Sequence, residues 1–149
     1  MTTLLAEFEK LTPAQLYDIL KLRQDIFMIE QNCLYKDMDN SDSKAYHLLM
    51  YEGDVLAAYL RIFAPGIKYK EASIGRIVVS PDFRGGQLGK ELIKSGISRT
   101  FELFEDTDIR IEAQAALKNY YKQFGFAEEG KVYVVDDIDH LQMVLKKIS

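Results

Sequence analysis

Residues 77–90, I-V-V-S-P-D-F-R-G-G-Q-L-G-K, constrain this chain more than any other stretch. Ile77, Val78 and Val79 are β-branched and favour a strand, which Ser80-Pro81 ends because proline has no N–H to give to a central ladder. Arg84-Gly85-Gly86 can turn sharply, and from Leu88 onward apolar residues recur at helical spacing. The product is strand, glycine turn, helix. Glycines let backbone N–H groups come close to a ligand, and the first turn of a helix carries unpaired N–H groups and a partial positive charge. An anion belongs there, most naturally a phosphate or pyrophosphate.

Spacing separates three phosphate motifs. A P-loop requires G-x-x-x-x-G-K followed by Ser or Thr, but Glu91 follows Gly89-Lys90 and Arg84 stands where the first glycine belongs. A dinucleotide fingerprint requires G-x-G-x-x-G, which Gly85-Gly86-Gln87-Leu88-Gly89 does not supply. What remains is R-x-x-Q-x-G preceded by I-x-V-x-P. It resembles the coenzyme A signature of the GNAT-type N-acetyltransferases, with Gln87 where that family usually has glycine.

Composition narrows the class. A chain of 149 residues is one domain, 1–149, with room for a real core. Its net charge of −4 argues against a nucleic-acid or anionic-membrane surface. No window approaches the ~20 apolar residues of a membrane span, and no signal pattern opens the chain, which points to a cytoplasmic protein. Cys33 is the only cysteine, so neither a disulfide framework nor a cysteine-rich zinc site is available, and it reads as packing. The acidic run at Asp37, Asp39 and Asp42 invites a calcium-loop reading. It fails, because Asp42 occupies the required glycine position and Leu48 the closing glutamate position. No metal is expected.

In chain order, residues 3–9 read as a strand. Thr12-Pro13-Ala14-Gln15 opens a helix with a capping box, and Leu16, Ile19, Leu20, Ile26 and Phe27 form its apolar stripe. Arg23 and Glu30 lie on that stripe, either as internal ion pairs or as the border of a substrate cavity with Phe27. Residues 32–45 read as a solvated connection, or else as a gate that selects a cationic amine. Strands over 46–51 and 55–63 form a hairpin. A strand over 72–79, a helix over 87–104 and a strand over 109–113 form a β-α-β crossover, so the two strands should be parallel neighbours. In that helix Leu88, Leu92, Ile93, Ile97, Phe101 and Phe104 define the buried face. A short helix over 115–124 ends at Gly125, and strands over 131–135 and 141–147 flank a loop at 136–140.

The ending Tyr121-Lys122-Gln123-Phe124-Gly125-Phe126 is similar to the second half of the same acetyltransferase core, with Gln114 where Asn is usual. The helix at 22–31, S-I-G-R-I-V-V-S, A-Q-A and D-H-L-Q-M resemble the ElaA-like branch of that superfamily. The resemblance implies a mixed α/β sheet, the GNAT acyl-CoA N-acyltransferase fold, with about seven strands, a splayed parallel pair and about four helices. It implies acetyl-CoA as co-substrate and a small-molecule or peptide amine as acceptor, with a homodimer as a further expectation. The backbone of Ile77, Val78 and Val79 would pair with pantetheine, and Arg84, Gly85, Gly86, Gln87, Leu88, Gly89 and Lys90, with Gln114, would complete the cofactor site. Tyr121 would be the general acid. Glu71, Glu112, His47 and His140 are the candidates for a base. An acyltransferase with another donor, or a non-catalytic coenzyme A-binding module, is the competing expectation.

Overall fold

The computed structural model describes residues 1–147. Seven strands are present: β1 (Thr2–Glu7), β2 (Tyr46–Glu52), β3 (Val55–Phe63), β4 (Ala72–Val79), β5 (Ile109–Gln114), β6 (Ala127–Val135) and β7 (Ile138–Leu145). They form one sheet in the order β1-β2-β3-β4-β5-β7-β6. Three α-helices, α1 (Pro13–Arg23), α2 (Leu88–Leu103) and α3 (Lys118–Lys122), accompany it. All neighbours are antiparallel except β4 and β5, the parallel pair joined by α2.

Local chemistry accounts for the elements. Thr12 caps α1 reciprocally: its hydroxyl accepts the Gln15 N–H at 3.1 Å, and the Gln15 side chain accepts the Thr12 N–H at 2.9 Å. A wider π-helical stretch, Gln24–Glu30, prolongs α1, with the Gln31 N–H reaching Ile26 O at 3.1 Å, five residues back. On one face of the sheet Ile19, Leu22 and Ile26 pack on Leu49, Tyr59 and Val78. On the other, Leu92 and Ile93 of α2 pack on Leu60, Ile62, Ile74 and Ile111. Gly96 sets that approach, since a Cβ there would lie 2.7 Å from the Leu60 side chain. Helix α2 therefore buries Gly96 and Thr100, while the expected core residues Ile97, Phe101 and Phe104 are only partly buried.

Strand β6 begins at Ala127, before the expected 131, and β1 ends at Glu7 rather than at 9; two further differences bear on the site. The expected loop at 136–140 is a two-residue turn, Asp136-Asp137, with φ of 49° and 64°, so His140 belongs to β7. The helix expected over 115–124 is a 3-10 turn, Ala115–Leu117, followed by the short α3.

The acidic connection exposes much of its length, as expected of a solvated loop, but its three carboxylates are turned inward. Arg23, fully buried, holds Asp37 at 2.9 Å and Asp42 at 2.7 Å. Arg61, also buried, holds Asp39 at 2.6 Å and Asp42 at 2.8 Å. Arg76 Nε lies 2.9 Å from Asp37 Oδ1, an ion pair whose N–H is not aimed along the bond, and its Nη2 donates to Asp37 O at 3.1 Å. Three arginines on α1, β3 and β4 thus consume all three carboxylates, and the loop is folded inward by charge. His47 completes the cluster. Its Nε2 is 2.9 Å from Asp42 O, which can only accept, so Nε2 carries the proton and Nδ1 accepts from the Tyr59 hydroxyl at 2.6 Å.

Removing one partner strands buried charge, so Arg23→Ala should lower the unfolding free energy in urea by roughly 3–5 kcal/mol. Acid should act in two stages. Burial holds His47 below its ordinary value, so the unfolded chain takes up that proton first and stability falls as pH drops through about 6.5. Burial opposes ionisation of Asp39 and Asp42, but hydrogen bonds from Arg61 and Arg23 outweigh it and hold both carboxyls low. Their stabilisation is present above about pH 4 and is lost below it, which a melting-temperature series from neutral to acid pH should resolve.

Candidate active site

The parallel ladder between β4 and β5 is two residue pairs long, Ala72 with Ile109 and Ser73 with Arg110. Beyond it the strands part. The cause is in β4: opposite β3, Arg61 pairs with Gly75 but Tyr59 pairs with Val78, so one extra residue is inserted. Arg76 sits in that bulge at a φ of +52°, a strained conformation for a non-glycine residue, and its ion pairs to Asp37 and Asp39 hold it there. A cleft of about 220 Å³ fills the gap. Its walls are Gly75, Arg76 and Ile77 of β4, with Glu112, Ala113 and Gln114 of β5 facing them. Phe27, Gln31, Cys33 and Tyr35, from the π-helical segment and the connection after it, roof the space, and His140 and Tyr121 also reach it.

Tyr121 is 8% exposed and stacks edge-on against Tyr120 and Phe126. Among the described residues its hydroxyl makes no hydrogen bond, and the residue lines the cleft. Burial, with a smaller contribution from Tyr120, pushes that hydroxyl up to about 12, so it holds its proton at neutral pH.

Beside the cleft, the turn after β4 runs through Pro81–Phe83 into α2. Gly85 has a φ of +89°, and neither Gly85 nor Gly86 has any atom within 4 Å of where a Cβ would stand. Gln87 is the N-cap of α2, exposed, with no side-chain hydrogen bond across the helix start. The first intrahelical N–H bond is that of Glu91 to Gln87 O, so the N–H groups of the first turn are free for an anion. Gly89 lets α2 approach α3, since a Cβ there would come 3.2 Å from the Tyr120 hydroxyl. The Arg84 guanidinium forks onto Glu30 at 2.8 Å and Val79 O at 3.1 Å, and Lys90 is half-buried in the same first turn.

Several expected site residues are placed elsewhere. Arg23 takes the internal ion-pair role and has no exposed surface for a substrate, and Glu30 is engaged by Arg84 rather than facing the cleft. Phe27 does line the cleft. His47 is sealed in the interior with both ring nitrogens occupied, so it cannot serve as a base for a substrate. Glu71 is held by Arg110 through two hydrogen bonds, which lower its carboxyl, and it is outside the cleft lining. Glu112 and His140 remain on the cleft wall. The sequence reading missed Gln31, Tyr35 and Tyr133. Tyr133 donates to Glu112 at 2.8 Å. The signal for Tyr133 was its place opposite His140 in the closing hairpin, visible only once the turn is shortened to two residues. The described residues contain no cluster able to hold a metal ion.

Residues 19–147 match the sequence family described as an acetyltransferase (GNAT) domain. Protein ElaA of Escherichia coli is 36% identical over 142 residues, covering 94% of this chain and 93% of its own. The ElaA crystal structure superposes with a TM-score of 0.91 over 97% of this chain and 99% of that one, at 33% identity. An acyl-CoA N-acyltransferase of Pseudomonas aeruginosa gives 0.94, at 34% identity, with the same coverage. A coenzyme A-dependent acyl-homoserine lactone synthase shares the fold alone, with a TM-score of 0.75, 16% identity, and coverage of 97% of this chain and 82% of its own. With a family match across most of its length and the split parallel pair in place, the chain belongs to the GNAT acetyltransferase family, in its ElaA-like branch.

Proposed function

We propose that this protein is an N-acetyltransferase that moves the acetyl group of acetyl-coenzyme A to a primary amine by direct attack on the thioester. The parting of β4 from β5 beyond Ser73 is the observation that carries this reading, because it leaves backbone groups unpaired along the wall of a cleft. The chain's features fit the co-substrate. Pantetheine amides would take up the free edge at Ile77, Val78 and Val79, as a substitute strand. The diphosphate would sit on the Gly85–Lys90 backbone, where the uncapped first turn of α2 supplies donors and partial positive charge. Gln87 is compatible with this despite replacing a glycine, since its side chain faces solvent. Arg84 can add its charge only by leaving Glu30.

The chemistry then needs three things. A free N–H on the β4 edge stabilises the oxyanion as the amine attacks. Tyr121 gives its proton to the departing thiolate. The attacking amine must be neutral, and the candidates on the cleft wall to take its proton, directly or through water, are His140 and, if it does not serve as an anchor for the acceptor, Glu112. No covalent enzyme intermediate is required. The relative from Pseudomonas aeruginosa is named for acyl rather than acetyl transfer, which favours a donor-competition assay across acetyl, succinyl and longer thioesters.

Free thiol released from acetyl-coenzyme A across a panel of primary amines tests the reading. Binding without release across the whole panel would make the protein a coenzyme A-binding module instead. Gly86→Val should weaken acetyl-coenzyme A binding by about tenfold or more while shifting stability by no more than about 0.5 kcal/mol, because the added side chain meets nothing in the free protein. Unchanged affinity in calorimetry would move the diphosphate elsewhere. Tyr121→Phe should lower kcat by roughly 10²-fold. Since the Tyr121 hydroxyl lies at about 12, the wild-type kcat should show no loss from its deprotonation below about pH 10.

A further inference from the structure

Strand β5 alternates, with Ile109, Ile111 and Ala113 in the core and Arg110, Glu112 and Gln114 on the opposite face. Three carboxylates lie along this face, and two of them are spent: Arg110 holds Glu71 at 2.9 Å and Glu129 at 2.8 Å. Glu112 has no cation within 4.0 Å among the described residues. It is nevertheless fixed. One carboxylate oxygen accepts the Tyr133 hydroxyl at 2.8 Å, and the Tyr133 oxygen accepts from Gln142 Nε2 at 2.6 Å. The Gln142 amide is in turn oriented by Arg110, which donates to its oxygen at 3.4 Å. A chain of three side chains thus aims one carboxylate, with its second oxygen free, at the wall of the cleft.

The cleft's other charges do not cancel it. Arg76 is turned to Asp37 and Asp39, and Lys68, which feels Glu112 at longer range, stands 3.9 Å from Asp39 and over the Phe63 ring. Asp136 adds a second carboxylate to the lining, and no basic residue other than Arg76 and His140 is part of it. The rest of the lining includes the apolar side chains of Phe27, Ile77, Leu117 and Ile138. Tyr121, more than nine-tenths buried and with no hydrogen-bond partner on its hydroxyl among the described residues, lines the same cleft and is a second polar group there, independent of the carboxylates.

Resting on the acyl-transfer reading of this cleft, we propose that its acceptor is an unbranched aliphatic diamine whose second ammonium is received by the free oxygen of Glu112. Methylene groups suit the apolar walls, and an alkyl ammonium stays charged at neutral pH, as a lysine does. The reacting amine, at the Tyr121 end, is the one that loses its proton. The acidic connection cannot make this selection, because Arg23, Arg61 and Arg76 already neutralise Asp37, Asp39 and Asp42. Glu112 therefore selects the acceptor, and Tyr133 acts through it as a positioning residue.

The test compares 1,5-diaminopentane with n-hexylamine, matched in length, as acceptors in the thiol-release assay with acetyl-coenzyme A. The wild-type protein should prefer the diamine by about tenfold or more in kcat/KM, expressed mainly in KM, as expected for a charge-assisted hydrogen bond. Glu112→Gln, isosteric and exposed, should bring the ratio of the two amines close to one, and Tyr133→Phe should reduce it partway. No wild-type preference, or a preference retained in Glu112→Gln, would overturn the assignment. So would an equal loss on both amines, the signature of a base rather than an anchor. Thiol release with hexylamine but without diamine preference refutes this inference alone. Release with neither of these two amines but with another member of the amine panel also refutes this inference alone, whereas acetyl-coenzyme A binding without release across the whole panel refutes the acyl-transfer reading beneath it.

Discussion

A parallel ladder that stops after Ala72–Ile109 and Ser73–Arg110 is the constraint on which the rest depends. Backbone N–H and C=O groups inside a sheet must be paired, and those along β4 beyond Ser73 lose their partner on the β5 side. Such an opening has to be held open, and its backbone groups have to be met by water or by a ligand. The bulge in β4 supplies the first condition. It bends the strand away from β5 and fixes Arg76 at a φ of +52°, which the chain would relax if the guanidinium were free.

Arg76 is not free, and that links the cleft to the interior. Its ion pairs run to Asp37 and Asp39, which Arg23 and Arg61 hold from α1 and β3. The same connection carries Gln31, Cys33 and Tyr35 onto the roof of the cleft. A buried charge cluster is weak evidence for stability in itself, since desolvation offsets much of the attraction. What it does contribute is geometry, because three forks on three elements accept only one arrangement of loop and bulge. Roof and wall are thereby set by one network, which does not include Tyr121.

The parts of this architecture that sequence displays are the local ones. The capping box at Thr12, the glycine turn after Pro81 and the crossover 72–113 are written in neighbouring residues, and the structure contains all three. Long-range pairing is different. Asp37, Asp39 and Asp42 read as solvated because their partners lie far along the chain, and nothing local marks Arg23, Arg61 and Arg76 as facing one another. His47 looked like a titrating base for the same reason, its burial against Tyr59 and Asp42 O being a tertiary fact. In α2, periodicity named Ile97 and Phe101 as core, but a close approach of helix to sheet over Leu60 favours Gly96 and Thr100 there. Within the cleft, Ile77, Glu112, Gln114 and Tyr121 were named from sequence, but the hydrogen-bonded run through Glu112, Tyr133 and Gln142 was not, since those three meet only through sheet register.

Backbone amide exchange with and without acetyl-coenzyme A tests the central claim most directly. If the co-substrate completes the split sheet, the amides of Ile77–Val79 and of Gly85–Lys90 should gain protection together on binding, while the β1-β2 edge is unchanged. Binding that protects neither stretch, or that leaves the β4 edge exchanging as in the free protein, would contradict the account.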